Sequence, residues 1–286
     1  MREAGKELCS DPDIIKWKGD KPSVYVVMKK SDYFEKMERI LLDTSKFQHL
    51  TKDLTEDLRK KMSRLVTRAN NQQDVVKFPK VKGDYGPSYC YGTVKTHKAC
   101  NPLRAIISQI ISTTYRIAKV LSDLLVPYIP GALSLKSAVE FIYLLHEKGP
   151  EDGIAPLDVE SLCTNVPIEE TISTILDRVY RTNKSSLPIS EDVLQDMLKA
   201  STKEAPFLSH WGELFWQVDG VVMGSPLGVL FANMYMATVK ERPFESIKDL
   251  KFMGETTRWT FQNGRVHKSN GHWPFLECTR RMPRCI

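Results

Sequence analysis

Residues Gly153–Ile172 read GIAPLDVESLCTNVPIEETI. A short apolar lead-in ends at Asp158, the polar residues Ser161, Thr164 and Asn165 follow, and Pro167 is placed to open a helix. The spacing predicts a strand ending in a carboxylate, then a helix whose buried stripe is Ile168, Ile172, Ile175, Leu176 and Val179. A carboxylate at a strand end has two readings. It caps the helix that follows, or it works with other acidic groups placed elsewhere in the chain.

Charge is distributed unevenly around that stretch. Residues 1–100 carry 21 Lys and Arg against 14 Asp and Glu, residues 101–245 carry 12 against 18, and residues 246–286 carry 8 against 3. A basic first third beside an acidic middle suits a phosphate-contacting module next to one that gathers cations, although solvated charge gives the same balance. The six cysteines form no C-x-x-C pair and the six histidines are dispersed, which argues against a zinc site. The opening residues MREAGKELCSDPD lack the apolar core of a signal peptide, so a reducing, intracellular setting is expected. The most apolar stretch, Pro102–Ile129, is interrupted by Arg104, Arg116, Lys119 and Asp123 and does not read as a membrane span.

Upstream, Ser23–Lys29 (SVYVVMK) reads as a strand, and Ser31 or Asp32 is expected to cap a helix after it. A second helix is predicted across Thr51–Ala69, with Leu54, Leu58, Leu65 and Val66 on its apolar side. Its Lys60, Lys61, Arg64 and Arg68 read as a solvated face before a nucleic-acid contact. Between Lys77 and Ser108, Lys77, Lys80, Lys82, Lys95, Lys98 and Arg104 are interleaved with Tyr85, Tyr89 and Tyr91, the pattern of phosphate contacts combined with base or sugar stacking. A helix starting at Ser112 or Thr113 is predicted to bury Ile117, Val120, Leu121, Leu124 and Leu125 and to stop at Pro127. Beyond it, Asp192–Ala200 reads as a helix. Glu213–Phe244 reads as strand, glycine turn and helix, with Ser225 as N-cap and Pro226 as first helical residue.

Four segments, in order, resemble the reverse transcriptases of Penelope-like retroelements. They are DKPSVYVVMKKSDYFEKMERILLDTSKF (Asp20–Phe47), YGTVKTHKACNPLRAIIS (Tyr91–Ser108), LDVESLCTNVPIEETI (Leu157–Ile172) and DGVVMGSPLGVLFANMYM (Asp219–Met236). The resemblance implies an α+β right-hand polymerase, with fingers and a ferredoxin-like palm. Residues 1–103 would form the amino-terminal region and fingers, 104–245 a partial palm, and 246–286 an atypical tail. Asp158 matches the first catalytic, metal-holding aspartate. Lys95 and Arg104 match cations that hold an incoming triphosphate, while Gly224, Ser225 and Pro226 match the turn that supports nucleotide and template. Cys163 stands where the family has the aromatic residue that contacts the nucleotide ribose. Lys77, Lys80, Lys82, Lys98 and Tyr91 are the expected nucleic-acid contacts, and His97 reads either as a phosphate contact or as a structural histidine. Implied partners are an RNA template, a DNA primer and deoxynucleoside triphosphates, with no membrane; the implied cofactor is magnesium and the implied location the nucleus.

The resemblance breaks at one point. Two-metal phosphoryl transfer clamps its oxygens between two ions about 3.5–4 Å apart, each held by its own carboxylates. The family supplies these with a Tyr-x-Asp-Asp turn after the palm helix, and this chain has no Asp-Asp dipeptide; after Asp219 its only aspartate is Asp249. Asn270–Arg281 (NGHWPFLECTRR) resembles a family segment from well past that turn, which points to an internal deletion, an incomplete palm and no thumb. Val94 and Ala105 replace expected prolines, Cys163 is too small to block a ribose 2′-hydroxyl well, and Pro156 sits in the strand before Asp158. The expected function is therefore a reverse transcriptase domain inactive as this chain. The alternatives are a non-catalytic nucleic-acid-binding remnant, or a reading frame with no selected function and no stable fold, in which loss of palm strands leaves the helices at 113–126 and 168–180 with exposed apolar faces.

Overall fold

Tyr25–Lys29 alternates exposed and half-buried residues, as a strand with one face on a core must. In the computed structural model it pairs antiparallel with Ile14–Lys18, a strand that the sequence did not announce. The structure describes residues 11–20, 24–72, 74–83, 85–130, 134–135, 139, 142–143, 146, 162–182, 187–241, 255–256, 259–262 and 265–268. Asp158, Pro156 and Asp249 lie outside them, so the strand expected to end at Asp158 is not among the described elements.

In chain order the described strands are β1 (Ile14–Lys18), β2 (Tyr25–Lys29), β3 (Phe47–Leu50), β4 (Ser88–Val94), β5 (Leu103–Ser108), β6 (Ser134–Leu135), β7 (Phe207–Leu208), β8 (Leu214–Gln217), β9 (Glu255–Thr256), β10 (Trp259–Gln262) and β11 (Arg265–Lys268). The helices of two turns or more are α1 (Lys30–Leu41), α2 (Thr55–Gln72), α3 (Tyr115–Leu125), α4 (Ile168–Leu176), α5 (Glu191–Thr202) and α6 (Pro226–Glu241). Two compact units result, one of residues 1–128 with 163–232 and one of residues 129–162 with 233–286. In the second unit β6 pairs with β9 in parallel, and β10 with β11 antiparallel.

The first unit is a mixed α+β structure built on a five-stranded sheet in the order β3-β8-β7-β4-β5. Only the β4–β7 pair is parallel. Along β4, Ser88, Cys90, Gly92 and Val94 are buried while Tyr89, Tyr91 and Thr93 face the other way. Helix α1 lays Tyr33, Met37 and Leu41, spaced by four, on that buried face against Cys90, Val94, Leu103, Ile107, Phe207 and Phe215. Each such large apolar side chain contributes about 1.5–3 kcal/mol when fully buried. The Tyr33 hydroxyl accepts from Gly92 N at 2.6 Å, so its polar tip is satisfied inside the core. Ser31 and Asp32 do not cap α1; Lys29 occupies that position without a side-chain bond, and Asp32 lies in the first turn, where a carboxylate meets the positive end of the helix dipole.

A second helical layer closes on itself. Helix α5 packs against α2, α3 and α4. It buries Val193, Leu194, Met197 and Leu198. The faces of α3 (Ile117, Ala118, Leu121, Leu125) and α4 (Ile168, Ile172, Ile175, Leu176) are buried, as is Val179 beyond α4. The expectation that losing palm strands would expose these two faces is thus not met, because α5 supplies an apolar surface for both. Cations of α2 are likewise used within the fold, Lys61 pairing with Glu204 at 2.6 Å and Arg68 with Asp192 at 2.5 Å. Among the described residues no helix is long and apolar enough to cross a membrane.

Candidate functional site

The segment Asp219–Pro226 links β8 to α6 and needs two left-handed backbones, at Gly220 (φ +81°) and Gly224 (φ +114°). A Cβ at Gly220 would lie 2.7 Å from the Thr164 backbone, and one at Gly224 would lie 2.5 Å from the Ile107 carbonyl oxygen. Both positions therefore require glycine for conformation and for space. Two backbone hydrogen bonds fix the segment between its neighbours. Val221 N donates to Cys163 O at 2.6 Å, and Ile107 N on β5 donates to Met223 O at 2.9 Å. As read from the sequence, Ser225 opens α6, its Oγ accepting from Leu227 N at 3.3 Å.

Asp219, which the sequence reading left without a role, ties this segment to α4. Its Oδ1 accepts from Ile168 N at 3.1 Å and from Gly220 N at 2.9 Å. It thereby satisfies one of the free N–H groups at the start of α4 from a distant point in the chain. The signal that could have found it is a lone acidic residue before a glycine, but nothing in the sequence says which helix it caps. Lys46 is a second such residue, donating to Asn165 Oδ1 at 2.7 Å and Thr164 O at 3.3 Å.

Arg104 sits on β5, the strand that bonds to Met223, and pairs with Asp20 at 2.7 Å. The Asp20 side chain is 5% exposed and that of Arg104 24%, so this pair is largely withdrawn from water. Asp20 is held by its own N–H, which donates to Val94 O at 2.9 Å. Burial raises the Cys163 thiol pKa, and the positive charge of Arg104 partly offsets that rise. The chain thus brings Arg104, Cys163 and Gly224, taken from three separate motifs, around one strand.

The remaining predicted contacts are distributed along β4 and its flanks. Lys95 is half-buried and its N–H donates to Pro102 O at 2.9 Å, closing the β4–β5 loop. Lys98 and His97 are exposed on that loop. Cys100 and Asn101 take positive φ there and Lys36 Nζ donates to their carbonyls at 2.6 and 3.1 Å. Tyr91 is half-buried, its ring 5.8 Å from Tyr89 and 5.5 Å from Trp17. Lys77 is exposed and pairs with Asp74 at 2.7 Å, while Lys80 and Lys82 are exposed. Asp158, assigned to catalysis and metal, lies outside the described residues.

Magnesium was expected at Asp158, outside the described residues. No three His, Cys, Asp or Glu side chains among them converge, the Asp20 carboxylate is paired with Arg104, and Asp219 Oδ1 accepts two backbone N–H groups.

No family model matches the chain, and no curated protein matches it. Among solved structures it is similar to apo telomerase from Candida tropicalis truncated from its C-terminal domain, at 11% identity and a TM-score of 0.49, covering 83% of this chain and 49% of that one. Apo telomerase from the same organism gives 11% identity and a TM-score of 0.46, covering 82% of this chain and 44% of that one. Telomerase from Candida albicans in complex with a TWJ fragment of telomeric RNA gives 9% identity and 0.46, covering 82% of this chain and 42% of that one. The chain spans less than half the length of these telomerase chains, and likeness of this degree decides neither a family nor an activity for it.

Proposed function

We propose that the chain is a reverse transcriptase domain of a Penelope-like retroelement, of fingers and a partial palm, that does not polymerise as this chain. The observation that supports this reading is the meeting of Arg104, Cys163 and Gly224 around β5. In the resemblance these three positions serve the triphosphate, the ribose and the nucleotide–template turn, although Cys163 replaces the aromatic residue at the ribose, and a phosphoryl-transfer site needs those functions in one place. Arg104 offers a guanidinium to anionic oxygens, and Asp20 keeps it in position until a triphosphate competes for it. Inactivity rests on the missing Asp-Asp pair. Magnesium, deoxynucleoside triphosphates and a nuclear location belong to an intact relative under this reading.

Primer extension on an RNA template with magnesium tests it. The expected result is no incorporation above background; incorporation that disappears in Asp158→Asn would overturn the inactivity. Sequencing the transcript around codon 245 shows whether a segment encoding Tyr-x-Asp-Asp has been skipped.

A second reading is a non-catalytic nucleic-acid-binding remnant, favoured by the exposure of Lys80, Lys82 and Lys98. It predicts salt-sensitive binding to an RNA–DNA duplex, weakened by alanine at those lysines.

A further inference from the structure

We infer that the outer face of the β1–β2 hairpin is a stacking platform for single-stranded nucleic acid, centred on Tyr25, an inference that rests on the nucleic-acid reading above. Residues paired directly across an antiparallel ladder share a face. The register sets Ile14 opposite Lys29, Lys16 opposite Val27, and Lys18 opposite Tyr25. The intervening pairs, Ile15 with Met28 and Trp17 with Val26, turn the other way. Ile15, Val26 and Met28 pack on the core, and the Trp17 ring lies 5.5 Å from Tyr91 and 6.3 Å from Tyr33.

That leaves an outer face on which Lys16 and Lys29 stand to either side of Val27 in the register and no carboxylate is present. Tyr25 is 78% exposed and Val27 50% exposed, and Lys29 is exposed beside them. The acidic positions nearest in sequence lie past the ends of the strands: Asp11 and Asp13 before β1, Asp20 after it, where it is paired with Arg104, and Asp32 in the first turn of α1. An open tyrosine ring costs little conformational entropy to use and offers a π-face to any base. Flanking lysines neutralise phosphates on either side. Bases inside a duplex are already stacked on one another, so the aromatic selects a single strand.

The platform is also held rigid. Gly19 bridges Val94 on β4 and its N–H donates to Val24 O at 2.8 Å, fixing the end of the hairpin nearest Tyr25 to the sheet. Helix α1 starts at Lys30, immediately after β2, and Lys30 N donates to Asp13 O at 2.8 Å at the other end. Binding to the paired strands β1 and β2 therefore carries little ordering cost.

The test is fluorescence anisotropy of the full chain with a labelled 12-nucleotide single-stranded RNA and, separately, a blunt RNA–DNA duplex. Tyr25→Ala is expected to weaken single-strand binding about tenfold, while Tyr25→Phe binds like the wild type and duplex binding changes less. Lys16→Ala with Lys29→Ala is expected to lower the salt slope by about 1.4, two phosphates at about 0.7 each for a single strand. Unchanged melting of Tyr25→Ala, whose side chain is exposed, would separate these effects from unfolding. Wild-type binding that Tyr25→Ala leaves intact would overturn the platform alone, as would equal losses on single strand and duplex. Failure of the wild type to bind either probe would overturn both the platform and the nucleic-acid reading beneath it.

Discussion

Replacing Gly224 by alanine isolates the contact that holds the candidate site together. Two costs apply. The first is conformational: φ of +114° is outside the ordinary range of an L-residue, which costs about 1–3 kcal/mol. The second is steric, because the new Cβ would lie 2.5 Å from the Ile107 carbonyl oxygen, which belongs to a strand backbone and cannot swing aside. Relief means lifting the Met223–Gly224 peptide off β5 and breaking the 2.9 Å bond from Ile107 N. Leaving that donor unpaired costs about 1–3 kcal/mol more. Gly212 is the internal control, since its φ is +89° but nothing lies within 4 Å of an added Cβ. Gly212→Ala therefore carries the conformational cost alone. Gly224→Ala is expected to cost about 2–6 kcal/mol in total. For a chain of this size each kcal/mol lowers the melting temperature by about 2–4 °C, so the two variants separate clearly in calorimetry. If Gly224→Ala melts no lower than Gly212→Ala, the turn is not fixed to β5, and the convergence on which the proposed function rests is wrong.

Asp219→Ala is expected to lose about 1 kcal/mol by uncapping α4, with faster amide exchange at Ile168; an unchanged exchange rate would refute the cap. Gln109 is fully buried with both side-chain amide atoms unpartnered, so Gln109→Met should raise stability by about 1–2 kcal/mol in urea unfolding, and a loss would mean that the amide is satisfied after all. Burial holds the His210 imidazole below its ordinary pKa of 6.5, against a smaller opposing effect of Glu38. The unfolded chain therefore binds its proton first, and stability is expected to fall as pH drops from about 6.5 towards the folded-state value, then level off. His210→Gln should flatten that part of the profile. Among the described cysteines, alkylation followed by mass spectrometry should label exposed Cys100 before Cys163. Cys90, whose thiol is pushed up to about 12 by burial, should react only on unfolding.

Local signals in the sequence were sufficient for several elements. The β-branched run before Lys29, the apolar spacing from Ile168 to Val179 and the Ser225–Pro226 pair each act within a few residues, and each produced the strand, buried stripe or helix start expected of it. Strand β1 is less legible because IIKWK lacks clean alternation, and it becomes a strand by pairing with β2. Long-range choices belonged to the tertiary structure. Which helix Asp219 caps, which carboxylate meets Arg104, and whether α3 and α4 are left bare or covered by α5 depend on groups dozens of residues apart. Composition and periodicity report how much of a face must be hidden. They say nothing about what hides it, since the hydrophobic effect is indifferent to the identity of its partner and only packing selects one.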